Sequence, residues 1–578
     1  MMTVKTFNLL NEPWIIAETA DGEVASVSIR DVFSGSVHCV HLRGESPVQD
    51  YAVLRLLLTI FWRAHSTEGP ARGEDSAFAD WFEGTLNTLT RDKADATVLK
   101  YLDQYENRFD LLNEETPFMQ VADLHTKGGD TKPVSLIVPE ASGDYFTMRA
   151  GDEQESIDLA EAARWLVYTQ AFDYSGIKSG AVGDSRVKGG KGYPIGTGWT
   201  GMTGGTVIIR PTLLETLLFN TTKETLAADN DHPVWERIPD GPDERGTLKT
   251  HDGHPTPTFT PQGPADLATW QSRRVRLFVD EDDRVRQVLV ANGDRIPDAG
   301  ANVLTDPMTP YRFSSNKSKK DLDIYYPRPY DTTRTMWRSL EALLVAEGDP
   351  GFTGKDKPPL RPKTLDSLAT LLTNETIEID FVPLELISIE YGAQSSSVGT
   401  TVVADMPLPL RALPNDVTGK KLRSLIRRNA KKTMESAIAL GSYGGNLLVS
   451  AGGEYSFQAN AADQLLAKLE PLFKEWLVRL TLNSPSDELL VRADQSWENT
   501  VRRHVVSSAQ TMQRGAGPKA YIGVMSDDGT QIHSAGRYYG LLMGKLNKIL
   551  PTTAPSQEEK MKENNKKEEN HDHNQTRS

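Results

Sequence analysis

The pattern that most restricts the fold of this 578-residue chain lies in its last third. From about residue 405 the apolar side chains follow the 3.6-residue period of amphipathic helices over 416–440, 460–482, 485–511 and 534–550, joined by short Gly, Ser and Pro links. Helices of that length with short connections bury their apolar stripes on one another. Residues 405–550 are therefore predicted to form a four-helix bundle. The chain before residue 405 mixes periods. Strand-like alternation covers 5–30, helical spacing covers 47–66, 74–91 and 157–172, and TVIIRPTLLETLLF passes from strand to helix. Residues 222–330 are polar and rich in Pro, Gly and Asp, with the strand-like RRVRLFV and RQVLVAN. Helical spacing returns at 331–347 and 363–374, and EIDFVPLELISIEYG reads as strand leading into the small-residue loop GAQSSSVGT. The expected fold class is α+β, with a large mixed α/β domain over 1–404 before the bundle. Residues 551–578 hold no large apolar side chain beyond Met561 and are expected to be disordered.

Composition narrows the function. The formal net charge of −15 argues against a simple nucleic-acid binder, so any polyanion must meet local basic patches. The single cysteine, Cys39, rules out an internal disulfide framework and fits a reducing compartment. The N-terminus shows no secretion signal, and the apolar run 53–62 is too short for a membrane span and carries Arg55. A cytoplasmic location is expected. His38, Cys39 and His41 are metal-capable, but no second cluster completes a site, so no metal and no cofactor are expected. There is no HExxH, no GxSxG and no cysteine–histidine pairing beyond that one, which favours a binding protein over an enzyme.

Residues 171–205 contain eleven glycines, with Lys178, Arg186, Lys188 and Lys191 among them, and read as a bare, basic backbone with nothing to place in a core. GTGWTG (196–201) formally matches a dinucleotide fingerprint, yet a turn and a strand follow it where a helix is required. SRVKGGKG fails the spacing of a phosphate-binding P-loop. Two accounts stand side by side: a flexible surface linker, or backbone N–H groups and lysines that follow a phosphate backbone or enter a groove. A second basic feature is the helix at 416–440. Between Lys420 and Lys432 seven basic residues occur with no acid among them, and Arg423, Arg427 and Lys431 stand four apart beside Arg428 and Lys432. Without acidic partners such a stripe repels itself, so an external polyanion is a plausible ligand.

Three strings share one resemblance. FNLLNEPWI (7–15) resembles the opening of the large subunit of the type I-E Cascade complex, the CasA family; TPFMQ (116–120) resembles that family's Pro-Phe-Met-Gln segment; and the glycine stretch falls where the family has its glycine loop. The resemblance covers roughly residues 5–550 and implies the same order of a mixed domain and a C-terminal bundle. It implies a non-enzymatic subunit of an RNA-guided surveillance complex. That subunit recognises the protospacer-adjacent motif (PAM) in double-stranded DNA, helps open the duplex and supports a recruited helicase-nuclease.

Position by position, QAFDYSG places Gly176 at the groove-contacting glycine, with Ser175, Ile177 and Lys178 beside it. YGAQSSS resembles the glutamine wedge, with Gln394 at its tip and Ala393 and Ser395 flanking it. Arg295 is the nearest candidate for the family's basic minor-groove finger. DYFTMRAG resembles a loop that contacts the guide RNA and neighbouring subunits, with Phe146, Thr147 and Met148 at its tip. Arg423, Arg427, Arg428 and Lys431 would guide the DNA backbone. Implied partners are target duplex DNA, CRISPR guide RNA, the backbone and small Cascade subunits and the helicase-nuclease, with no membrane. The alternatives are a protein-only scaffold and a nucleotide-binding enzyme that uses the glycine stretch.

Overall fold

The computed structural model describes residues 5–66, 74–139, 149, 151, 155–227, 230–246, 248–251, 254–257, 259–296, 306–352, 356–480, 486–526 and 528–554. The chain divides into two compact units, Met1–Asn415 and Asp416–Ser578.

In the first unit, strands β1 (Ile15–Thr19), β2 (Val24–Val27) and β3 (Cys39–Leu42) form an antiparallel sheet in the order β2-β1-β3. Helix α1 (Pro47–His65) follows. Ser46 caps it by accepting from the Gln49 N–H, Pro47 occupies its first turn, and the helix is buried nearly all round. That burial explains why its sequence is apolar on every face. Helix α2 (Leu159–Phe172), capped by Asp158, packs against α1 and runs into the glycine-rich stretch. Two short strands, β4 (Lys178–Ser179) and β5 (Lys191–Gly192), then form a hairpin. β6 (Gly205–Ile208) leaves that stretch for another sheet.

Further on, β7 (Arg273–Val279) and β8 (Val285–Asn292) pair antiparallel, and the sheet order is β7-β8-β4-β5, with Lys132–Pro133 also on β8. β9 (Phe381–Tyr391) and β10 (Val398–Pro409) form the longest hairpin, with β6 on the other side of β9. The boundary expected after residue 404 falls inside β10. Its ladder runs unbroken from Ala404 opposite Leu386 to Pro409 opposite Phe381, so the strand stays with the first unit.

The second unit holds four long helices: α3 (Val417–Ser450), α4 (Ala459–Arg479), α5 (Asp487–Gly515) and α6 (Ala535–Ile549). α3 packs against each of the other three. Its core includes Phe473, Trp476 and Trp497, whose ring centroids lie 4.9–5.8 Å apart, and Trp497 Nε1 donates to Thr433 Oγ1 at 3.0 Å. α3 extends past the predicted end at residue 440, through a glycine-rich turn of helix. A Cβ at Gly441 would stand 2.6 Å from the Phe457 ring, so the missing side chain admits the returning chain rather than ending the helix. The tail expected to be disordered from residue 551 starts instead as a turn at Pro551–Thr553, held by Thr552 N–H donating to Glu498 Oε2 at 2.9 Å; from residue 555 it lies outside the described residues. Among the described residues no helix is long and apolar enough to cross a membrane.

Candidate nucleic-acid interface

The glycine stretch is pinned at several points, and less of it is bare than its composition implies. Ala181 is buried with Val121, Leu124, Leu289 and Ala291, and Trp199 is buried with Leu267, Trp270, Ile296 and Tyr311. Trp199 Nε1 donates to Asp306 Oδ2 at 2.7 Å. Arg186 is bound by Asp184 and Glu244 and donates to the carbonyls of Asn292 and Gly293, so it is structural. A Cβ at Gly198 would sit 2.5 Å from the carbonyl oxygens of Gln170 and Ala171, so the stretch closes directly onto the end of α2. GTGWTG leads into a single turn at Thr200–Met202 and then β6, without the helix that a dinucleotide fingerprint needs.

Beside Gly176 only a short piece lies outside, while Val182, Gly183, Lys188–Lys191 and Tyr193 are exposed further along. Ile177 is 59 % exposed and Gly176 is partly exposed, while Ser175 is buried. Gly176 does not take a left-handed φ. A Cβ built on it meets only the Tyr174 ring, at 3.4 and 3.6 Å, so its glycine is not demanded by its own surroundings. Lys178 departs from expectation. Its side chain is buried, its Nζ lies 2.6 Å from Asp173 Oδ2 and 4.2 Å from the centre of the Tyr174 ring, and burial holds its pKa below the ordinary lysine value. A buried, paired ammonium cannot reach a phosphate; Lys178 anchors the loop instead.

The wedge candidate is a tight turn at the end of the β9–β10 hairpin. Gly392 N–H donates to Ser397 O at 2.9 Å, and Ser395 N–H to Gly392 O at 2.9 Å. Ala393 and Gln394 are exposed. Gln394 and Ser395 both take left-handed φ, 57° and 53°, a conformation that side-chain-bearing residues adopt at a cost of about 1 kcal/mol or more each.

The structure brings these two loops together. Ser175 N–H donates to Ser395 O at 2.7 Å, and Tyr391 Oη donates to Phe172 O at 2.7 Å. Arg273 of β7 clamps the base of the glycine loop: it pairs with Asp173 and donates to the carbonyls of Tyr174 (3.0 Å) and Gly196 (2.8 Å). A cleft of about 500 Å³ opens beside the turn, lined by Lys132, Tyr168, Phe172, Tyr174, Ser396 and Val398 among others. Sequence reading missed Arg273 and Tyr391. Each acts on residues far away in the chain, and no local pattern distinguishes them from strand residues.

Other candidates fare unequally. Arg295 is half-buried, on the segment after β8, whose Asn292 donates to Tyr193 O of the hairpin at 2.6 Å. Phe146, Thr147 and Met148 lie outside the described residues. On α3, Arg423 is fully buried and cannot meet DNA. Arg428 pairs with Asp494 at 2.9 Å, Lys432 with Asp494 and Glu498, and Lys421 with Asp487 at 2.6 Å. The stripe is thus partly neutralised by acids of α5, which the linear sequence places more than sixty residues away. Lys431 is exposed and Arg427 half-exposed. Burial lifts the Cys39 thiol to about 11, and among the described residues no group of three or more His, Cys, Asp or Glu could hold a metal.

In this α+β chain the exposed end of the glycine loop and the turn of the β9–β10 hairpin are tied together. Residues 8–508 match the family of CRISPR-associated protein Cse1, and this chain belongs to that family, the large subunit of type I-E Cascade. It is 30 % identical over 358 residues to the CRISPR-associated protein CasA/Cse1 of Thermus thermophilus, a match that spans 60 % of this chain and 62 % of that protein. Its fold matches the crystal structure of Thermobifida fusca Cse1 with a TM-score of 0.77 at 32 % identity, over 95 % of this chain and 98 % of that one. It also matches, with a TM-score of 0.61 at 19 % identity, a chain of a solved CRISPR RNA-guided surveillance complex, over 88 % of this chain and 99 % of that one.

Proposed function

We propose that this chain is the PAM-recognising subunit of an RNA-guided surveillance complex in the cytoplasm, assembled with guide RNA and the other Cascade subunits. Main chain at Gly176, flanked by Ser175 and Ile177, enters the minor groove of the target duplex. There the donor and acceptor code is degenerate, and readout is correspondingly permissive. Gln394, with Ala393 and Ser395, inserts under the first base pair beyond the PAM and helps part the strands. Sequence beyond the PAM is left to guide pairing, as in RNA-guided recognition generally. Helices α3 to α6 act as a four-helix bundle, with Arg427 and Lys431 toward DNA, and the assembly supports a recruited helicase-nuclease. The chain itself performs no catalysis.

The observation that supports this reading best is the 2.7 Å bond from Ser175 N–H to Ser395 O. A probe for the PAM and a wedge for the next base pair must act on adjacent steps of one duplex, and this bond sets the two loops side by side. The test uses the assembled complex and a duplex carrying a fluorescent base analogue at the first pair beyond the PAM. Gln394→Ala should leave PAM-dependent binding in place and slow the fluorescence change. Gly176→Val should weaken binding to the PAM-containing duplex toward that of a PAM-lacking one. Normal opening by the first variant removes the wedge, and retained PAM discrimination by the second removes the groove probe.

A further inference from the structure

Two Lys-Gly-Gly turns, distant in sequence, meet on the sheet that carries the glycine loop. The first is Lys127–Gly129, closed by Gly129 N–H to Thr126 O at 3.1 Å and by Asp130 N–H to Thr126 Oγ1 at 2.8 Å. The second is the hairpin tip Lys188–Lys191, where each lysine's N–H donates to the other's carbonyl at 3.1 Å. Gly189 and Gly190 between them take φ of 60° and 72°, the paired left-handed geometry that suits a two-residue hairpin turn and strongly favours glycine. Thr126 pairs with Ala181, and Val182 N–H donates to His125 O at 2.9 Å, so the first turn lies against the outgoing limb of the second. Lys132 joins from the same edge: it pairs with Val288 of β8, whose Ala291 pairs with Ser179.

Lys127, Lys132, Lys188 and Lys191 are all exposed, and none makes an ion pair with a described residue. Arg186, on the same hairpin, is by contrast fully engaged by Asp184 and Glu244. Asp123 and Asp130, both exposed, flank the first turn; the Lys188–Lys191 tip contains no acid. On a chain of net charge −15, four exposed lysines without ion pairs, gathered from two segments, form a local site for a polyanion. Gly129, Gly189 and Gly190 leave room for phosphates to approach the turn backbones, whereas the Asp130 carboxylate stands against Gly128; the hairpin that carries the second turn begins two residues beyond Gly176.

We propose that these two turns grip the sugar–phosphate backbone of the duplex on the side of the PAM away from the opened strands. This rests on the reading that Gly176 meets duplex DNA. The contact is independent of sequence and adds affinity, while discrimination stays with the glycine loop. The test measures Kd against salt for the assembled complex on two PAM-containing targets, one whose duplex ends at the PAM and one extended well beyond it. On the extended duplex, the pair Lys188→Gln and Lys191→Gln should flatten the slope of log Kd against log salt by about 2, roughly 0.9 for each lost phosphate contact. The ratio of PAM to non-PAM affinity should stay unchanged. On the short duplex the variant should match wild type, and Lys188→Arg with Lys191→Arg should restore the slope. Lys127→Gln with Lys132→Gln should act in the same direction. An unchanged slope on the extended duplex overturns the proposal. So does equal weakening on both targets, which would assign the lysines to RNA or a protein surface. If Gly176→Val keeps PAM discrimination while the lysine variants behave as expected, the groove reading fails and the phosphate patch stands.

Discussion

At the scale of single residues, burial decides which charged side chains stay accessible and which hold the fold. Asp173 faces two cations, Lys178 and Arg273. Removing Lys178 leaves the carboxylate paired, whereas Asp173→Ala leaves two buried cations without it. Asp173→Ala should therefore cost more, about 3–5 kcal/mol in a urea titration, and Lys178→Met clearly less. Ser395 takes a left-handed φ, so a β-branched side chain is disfavoured there: Ser395→Val should lower stability by about 1–2 kcal/mol, and Ser395→Gly should not lower it. Asp50, at the start of α1, is pushed by burial to about 7, against the bond it accepts from Gly44 N–H. Between the ordinary value of 3.8 and about 7 the native state keeps a proton that the unfolded chain has lost, so stability falls as pH rises through that window. Asp50→Asn should flatten this fall and raise the melting temperature at neutral pH, as thermal scans across the window would record. The residue types at these positions were plain in the sequence. Their burial was not, because Lys178 among glycines looks the same whether its partner is Asp173 or a phosphate.

At the scale of elements, the glycine loop and the β9–β10 turn are each recognisable from local composition, but their connection is not. The link runs through Tyr391, Phe172, Ser175 and Ser395, which fold together from two segments more than two hundred residues apart. Tyr391→Phe should cost about 1 kcal/mol through the lost hydrogen bond to Phe172 O. It should also loosen the dependence of strand opening on the PAM, measured with the same fluorescent duplex. Arg273→Lys keeps the charge but not the fork that reaches Asp173, Tyr174 O and Gly196 O together, so it should impair PAM discrimination more than overall stability. Helix starts were legible because the apolar period is a local signal; in the structure the caps Ser46, Asp158, Asp416 and Ser486 fix them. The end of α3 was not, because Gly441 reads as a stop until the returning Phe457 is seen against it.

At the scale of the whole molecule, charge is shared out by the fold. Glu498 of α5 is fully buried, pairs with Lys432 and accepts from Thr552 N–H at 2.9 Å. Glu498→Ala should therefore destabilise the helical unit by about 3–5 kcal/mol in a denaturant titration, as expected when one partner of a buried pair is removed. Reversing the charge at Arg427 and Lys431 should weaken DNA binding by the assembled complex and reduce its salt dependence; unchanged binding would favour a scaffold role for α3. The sequence by itself determined the class: the periods of 2 and 3.6 and the FNLLNEPWI and TPFMQ strings are properties of neighbouring residues, and neighbours are all that a linear pattern contains. Only the tertiary structure decided which basic residues are free to meet a ligand. Desolvation and ion pairing depend on groups brought close from distant parts of the chain, as Asp494 is to Arg428 and Ser395 is to Ser175.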